Sequence, residues 1–225
     1  RIPNAQFIFK HALIQDSAYR SMLKKRRQQF HATIAAALEA RFPEVAETQP
    51  ELLAQHLTKA ELPGKAIPYW LKAGQKSQSS CAVLEAIDAF QQGLQLIATL
   101  PDGPERDGLE LQFQMPLGGV FVQSRGYAAV EAGTAFDRAR ENCEKLGPRQ
   151  MLGFVLTGLW GLHLVRADLE ECLRLGNDLL RLGDELDDSG LSAPLALSTT
   201  KMAIGAEMYF CPFGNVPISA PSSTA

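Results

Sequence analysis

Ala66-Ile67-Pro68-Tyr69-Trp70-Leu71-Lys72-Ala73-Gly74 is the stretch whose reading decides the fold. It sets a small residue at Ala66, a bulky apolar one at Trp70 and a small one at Ala73. Ala86, Phe90 and Gly93 repeat the pattern, as do Ala132, Phe136 and Ala139, and Leu169, Leu173 and Gly176 give a degenerate fourth copy. Small residues about one turn apart let two helices approach closely, and the bulky residue fills the groove between them. Hairpins of that kind bury their apolar sides only by stacking on neighbours, which predicts an all-α, tetratricopeptide-like helical-hairpin solenoid and a binding surface rather than a reaction centre. Successive copies begin 20, 46 and 37 residues apart, whereas a strict array steps by about 34.

Helical periodicity extends outward from these copies. It predicts helices over about 11–22, 24–42, 65–79, 82–100, 105–123, 128–146, 150–165, 168–187 and 192–209, with another after residue 50. Phe30, Ile34, Ala37 and Leu38 are the expected apolar face of the second, which Pro43 should end. Thr48/Glu51 and Asp168/Glu171 have the spacing of capping boxes. Pro63-Gly64 reads as a turn, Pro68 as a first-turn residue, and Pro116 as a kink or break. Phe7-Ile8-Phe9 is the one strand signal, and Cys211–Ala225, with three prolines, reads as a loose tail.

The chain has 225 residues, a net charge of −3, and 46% hydrophobic and 21% charged residues. It has enough apolar residues for a core, and lacks the basic excess of a general nucleic-acid binder. Four scattered cysteines without a CxxC pair read as reduced, half-buried thiols of a cytoplasmic protein. Met151–Val165, the longest apolar stretch, is too short to span a bilayer. The first residue is Arg1, which suggests a piece of a longer protein.

Motifs for chemistry are sparse. GxxxxGK[ST] and GxGxxG are absent. Ser21–Lys24 and Ser198–Lys201 match SxxK without its SDN and KTG partners. His11, His31, His56 and His163 have no metal-ligand spacing. His11 and His31 are expected to donate to backbone carbonyls near helix ends, and His163 to be a satisfied core histidine. Acids at 170–171, 184–185 and 187–188 read as surface ion pairs. The expected site list therefore holds no catalytic, cofactor or metal residue. It holds possible partner contacts: the basic run Lys24, Lys25, Arg26 and Arg27, and the aromatic residues Tyr69, Tyr127 and Trp160, which also suit a core.

Phe7–Tyr19 (FIFKHALIQDSAY), with Leu23, Arg26-Arg27, His31 and Ile34-Ala35, resembles the junction between winged helix and tetratricopeptide repeats in bacterial AAA-type (STAND) regulatory ATPases fused to class III adenylate/guanylate cyclases. Glu51–His56, Ala66–Gly74 and Thr99–Arg106 resemble that family's first repeats. The likeness covers about residues 6–190, and the tail from Met208 departs from it. It implies that residues 1–46 close a winged-helix module and that 47–207 are degenerate repeats, while 208–225, where the helical pattern stops, read as an irregular tail. It further implies a non-catalytic regulatory segment that binds a protein partner or its own upstream domains, with ATP or GTP and magnesium held only in those domains. A DNA-associated transcription regulator that uses the winged-helix remnant and the basic run is the alternative.

Overall fold

The computed structural model describes residues 12–186, and all regular structure among them is helical. The expected Phe7–Phe9 strand, the 192–209 helix, the tail, His11, Cys211 and Ser198–Lys201 lie outside the described residues. The chain forms two compact units that meet in sequence at Leu100/Pro101.

In the first unit, α1 (Ala12–Ser21), α2 (Lys24–Arg41), α3 (Pro43–Thr48), α4 (Pro50–Lys59), α5 (Pro63–Ser79) and α6 (Val83–Ile97) follow one another. Here α4 packs on α2 and α5, and α5 on α6. Ala66, Trp70 and Ala73 are buried on α5, as are Ala86, Phe90 and Gly93 on α6, so the first two copies of the pattern form the hairpin contact. A β-carbon on Gly74 would collide with the Phe90 ring. Trp70 donates its indole N–H to Thr58 Oγ1 (2.9 Å), and Thr58 in turn donates to the Ala54 carbonyl (2.8 Å), which ties α5 to α4.

The second unit consists of α7 (Pro104–Arg125), α8 (Val130–Leu146), α9 (Arg149–Val165) and α10 (Leu169–Leu186), each packed on the next. Ala132, Phe136 and Ala139 are buried, as the third copy requires. Phe136 is gripped from two sides: a β-carbon on Gly118 of α7 or on Gly158 of α9 would stand 2.9 Å from its ring. The Arg166 guanidinium closes the unit by donating to the carbonyls of Ala128 (3.3 Å) and Ala129 (3.1 Å).

Several expectations are corrected. The helix before Pro43 ends at Arg41 as expected, but Pro43 also opens a further helix: its fixed φ and missing N–H suit a first turn, and α3 starts there. Thr48 is not a cap, because Gln49 is the α4 N-cap residue and Thr48 Oγ1 donates back to the Glu44 carbonyl (2.6 Å). Pro63-Gly64 is the first turn of α5, Pro68 lies inside that helix, and α7 runs unbroken through Pro116. Phe30 and Ile34 are exposed, because α2 turns His31 and Ala35 inward instead. Leu169 and Leu173 are also exposed. The buried face of α10 is Cys172, Leu175, Gly176, Leu179, Leu182 and Gly183, so the fourth copy fails in register. The Asp168 cap is present, with Oδ1 accepting from the Glu171 N–H (3.4 Å), but the Glu171 carboxylate turns to Arg174 instead of completing the box.

Three hairpin turns share one geometry. After α4, α5 and α9, a residue at φ 56–58° (Glu61, Cys81, Ala167) is followed by one whose N–H returns to the carbonyl five residues back: Leu62 to Leu57, Ala82 to Ser77, and Asp168 to His163. This is a Schellman closure, in which glycine is the usual left-handed residue. None of the three is glycine, so nothing in the sequence announced them.

Candidate functional site

The site begins with the unusual inward face of α2. His31 is 8% exposed and lies where α2 crosses α4. Its Nδ1 is 2.8 Å from His56 Nδ1 and its Nε2 is 2.9 Å from the Tyr19 hydroxyl. His31 thus sits mid-helix in a side-chain chain, not at a helix end on a backbone carbonyl as expected. An Nδ1–Nδ1 hydrogen bond needs a hydrogen on one ring and a lone pair on the other. Both rings protonated would place two N–H groups face to face, so the pair holds at most one positive charge.

Burial, the His56 ring and Lys59 push the His31 pKa below its ordinary value; burial and Lys59 do the same to His56. The Arg27 guanidinium lies 5.2 Å over the Tyr19 ring and adds positive charge nearby. The arrangement favours neutral imidazoles. Among the described residues no group of three or more His, Cys, Asp or Glu side chains is placed to hold a metal ion.

A groove of about 580 Å³ lies on the α4–α5–α6 side of the first unit. Trp70, Ala73 and Ala89 give it an apolar floor, Glu51, Glu85 and Asp88 an acidic rim, and Lys76 one cation. Leu84 stands at its edge, 76% exposed. The second unit has a groove of about 310 Å³ with Leu152, Leu156 and Leu182 beneath arginines 140, 149, 174 and 181. These arginines are engaged locally: Arg149 with Glu185 (2.9 Å), Arg174 with Glu171 and Asp178, and Arg181 with Asp178. Exposed pairs of this kind contribute about 0–1 kcal/mol each.

The polar centre of the second unit is Glu110, 9% exposed, which accepts from Arg138 Nε (2.7 Å) and Nη2 (3.1 Å). Burial pushes its carboxyl pKa up, but the Arg138 hydrogen bonds outweigh this and hold it below the ordinary value. Asn142 is fully buried and makes no hydrogen bond of ordinary geometry, yet its amide is near enough to favour the ionised Glu110. This is a bidentate structural clamp between α7 and α8.

The sequence-derived contact residues are dispersed. Lys24 pairs with Glu61 (2.6 Å), Arg26 lies 5.6 Å over the Phe30 ring, and Lys25 is exposed. Tyr69 is half-buried and donates to Glu39 Oε1 (3.0 Å). Tyr127 is half-buried against Gly161, where a β-carbon would stand 2.9 Å from its ring. Trp160 is 2% exposed, so it belongs to the core. His163 is half-buried, and its Nδ1 is 3.0 Å from Asp168 Oδ2. Cys143 and Cys172 are buried, with burial raising each thiol to about 11, whereas Cys81 is exposed. The groove residues were missed, although Glu51/Gln55 and Glu85/Asp88 have one-face helical spacing.

No helix among the described residues is long and apolar enough to cross a membrane. No protein-family model matches the chain. It is 28% identical over 142 residues to an uncharacterized protein of Rhizobium meliloti (strain 1021). Those residues are 63% of this chain and 14% of that protein, so the similarity covers a small part of a much longer polypeptide.

Proposed function

We propose that this chain is a non-catalytic, tetratricopeptide-like interaction segment of a larger regulatory protein. That protein would be a signalling ATPase joined to a nucleotide cyclase. The segment binds a protein partner or the protein's own catalytic domains through helical-hairpin grooves. It uses no cofactor of its own, and ATP or GTP and magnesium act upstream.

The observation that carries this reading is the repeated hairpin device. Gly74 receives the Phe90 ring in one unit, and Gly118 receives the Phe136 ring in the other. Stacking that leaves helix faces lined with Trp70, Leu84, Glu85 and Asp88 suits extended or helical peptides better than a small reactant.

The test is to mix the purified chain with the separately produced ATPase and cyclase domains of its parent protein and follow complex formation by sedimentation. A complex weakened by Leu84→Asp or Asp88→Arg is expected, with no hydrolysis or cyclisation of nucleotides by the chain alone. Turnover that persists through repurification, or binding untouched by both substitutions, refutes the reading. The basic run Lys24–Arg27, of which Lys24, Lys25 and Arg26 are exposed, favours DNA association as a second reading. That would give salt-sensitive DNA binding lost on neutralising Arg26 and Arg27.

A further inference from the structure

Helix α2 has one face turned inward and a separate apolar stripe left uncovered. His31 and Ala35 face inward, while Leu23 at its N-cap, Phe30 and Ile34 are 80%, 45% and 40% exposed. Spacings of seven and four residues place these three on one stripe, and Arg41, seven further on, continues it. Arg26 and Arg27 flank Phe30 one turn earlier. Glu39 is the one acid in α2, and it is taken by the Tyr69 hydroxyl. Lys24 is paired with Glu61, whereas Arg26 and Arg27 lie over the Phe30 and Tyr19 rings and, among the described residues, have no carboxylate partner.

We infer that this stripe docks an acidic amphipathic helix of a partner protein. The apolar row gives such a helix a seam, and Arg26 and Arg27, one on each side of it, complement acids flanking the partner's own seam. A nucleic-acid backbone would satisfy the arginines but leave Leu23, Phe30 and Ile34 wet. Residues 1–11 carry Arg1 and Lys10 and no acid, so they do not complement the charge. The inference rests on the chain being an interaction segment, but uses none of the α4–α6 groove residues.

The test uses two fluorescein-labelled peptides of Leu heptads, one flanked by Glu and the other by Lys, titrated with the full chain and read by anisotropy. The Glu peptide is expected to bind with micromolar affinity and the Lys peptide not to bind. Phe30→Ser with Ile34→Ser should weaken binding about tenfold, and Arg26→Glu with Arg27→Glu should exchange the preference for the Lys peptide. Leu84→Asp, in the groove, should leave it unchanged, which separates this inference from the groove reading. Circular dichroism confirms that each variant is folded. No binding, or equal binding of both peptides, overturns the proposal. So does tighter binding of duplex DNA or anionic vesicles that Phe30→Ser with Ile34→Ser does not reduce. Self-association abolished by the same pair would instead assign the stripe to a second copy, and also overturns it.

Discussion

Phe136 and His31 are both buried side chains gripped by two neighbours, and they are held by opposite means. Phe136 is closed in by the bare backbones of Gly118 and Gly158, a steric fit without polar atoms. His31 is closed in by Tyr19 and His56, a hydrogen-bonded fit with a titratable ring. The first responds to volume and ignores pH. The second responds to protons. One chain thus holds an interior that reads size and another that reads charge.

The largest break in that contrast is Phe136→Ala, which empties the grip and should cost about 3–5 kcal/mol in denaturant unfolding. Gly118→Ala and its neighbour Gly119→Ala sharpen it. The first drives a methyl into the Phe136 ring and should cost about 1–3 kcal/mol. At Gly119 nothing lies within 4 Å of the added carbon, so the gain in helix propensity should stabilise by about 0.5–1 kcal/mol. Equal signs at the two positions would show that Phe136 is not held as described.

The His31 end is broken by acid. Both imidazoles have folded-state pKa values below the ordinary 6.5, so below that pH the unfolded chain binds more protons than the folded one. Stability from this pair is therefore full above pH 6.5 and falls as the pH drops from 6.5 towards the folded pKa values. Melting temperatures across pH 5–8 should show the slope, and His31→Phe should flatten it. An unchanged slope would remove the pair from the account. The smallest expected effect is at the turns: Ala167→Gly and Cys81→Gly relieve left-handed φ values and should each stabilise by about 0.5–1 kcal/mol, measured by thermal melting.

Most helices were legible because their apolar positions recur every three to four residues and their ends carry Pro, Gly or Asp. The start of α10 at Asp168 and the stop of α8 at Gly147, with φ 82°, are written locally. Helix α3 was not, since a proline between two helices marks a stop and a start with the same letter. The inward face of α2 was misassigned for a different reason. Hydrophobicity favours Phe30 and Ile34, but the face of α2 turned toward α4 carries Ala35 and His31, the latter 2.8 Å from His56. That partner lies 25 residues away, beyond any local pattern. The groove lining was equally hidden, because Leu84 and Asp88 gain meaning only when α4, α5 and α6 are assembled.

The Tyr19–His31–His56 chain has a direction. If the tyrosine gives its hydrogen, each neutral ring passes one onward and His56 offers an N–H at Nε2. If the tyrosine receives instead, every hydrogen reverses and His56 offers a lone pair there. The same heavy-atom positions thus store either of two polarities, and whatever meets the phenol decides which one His56 displays.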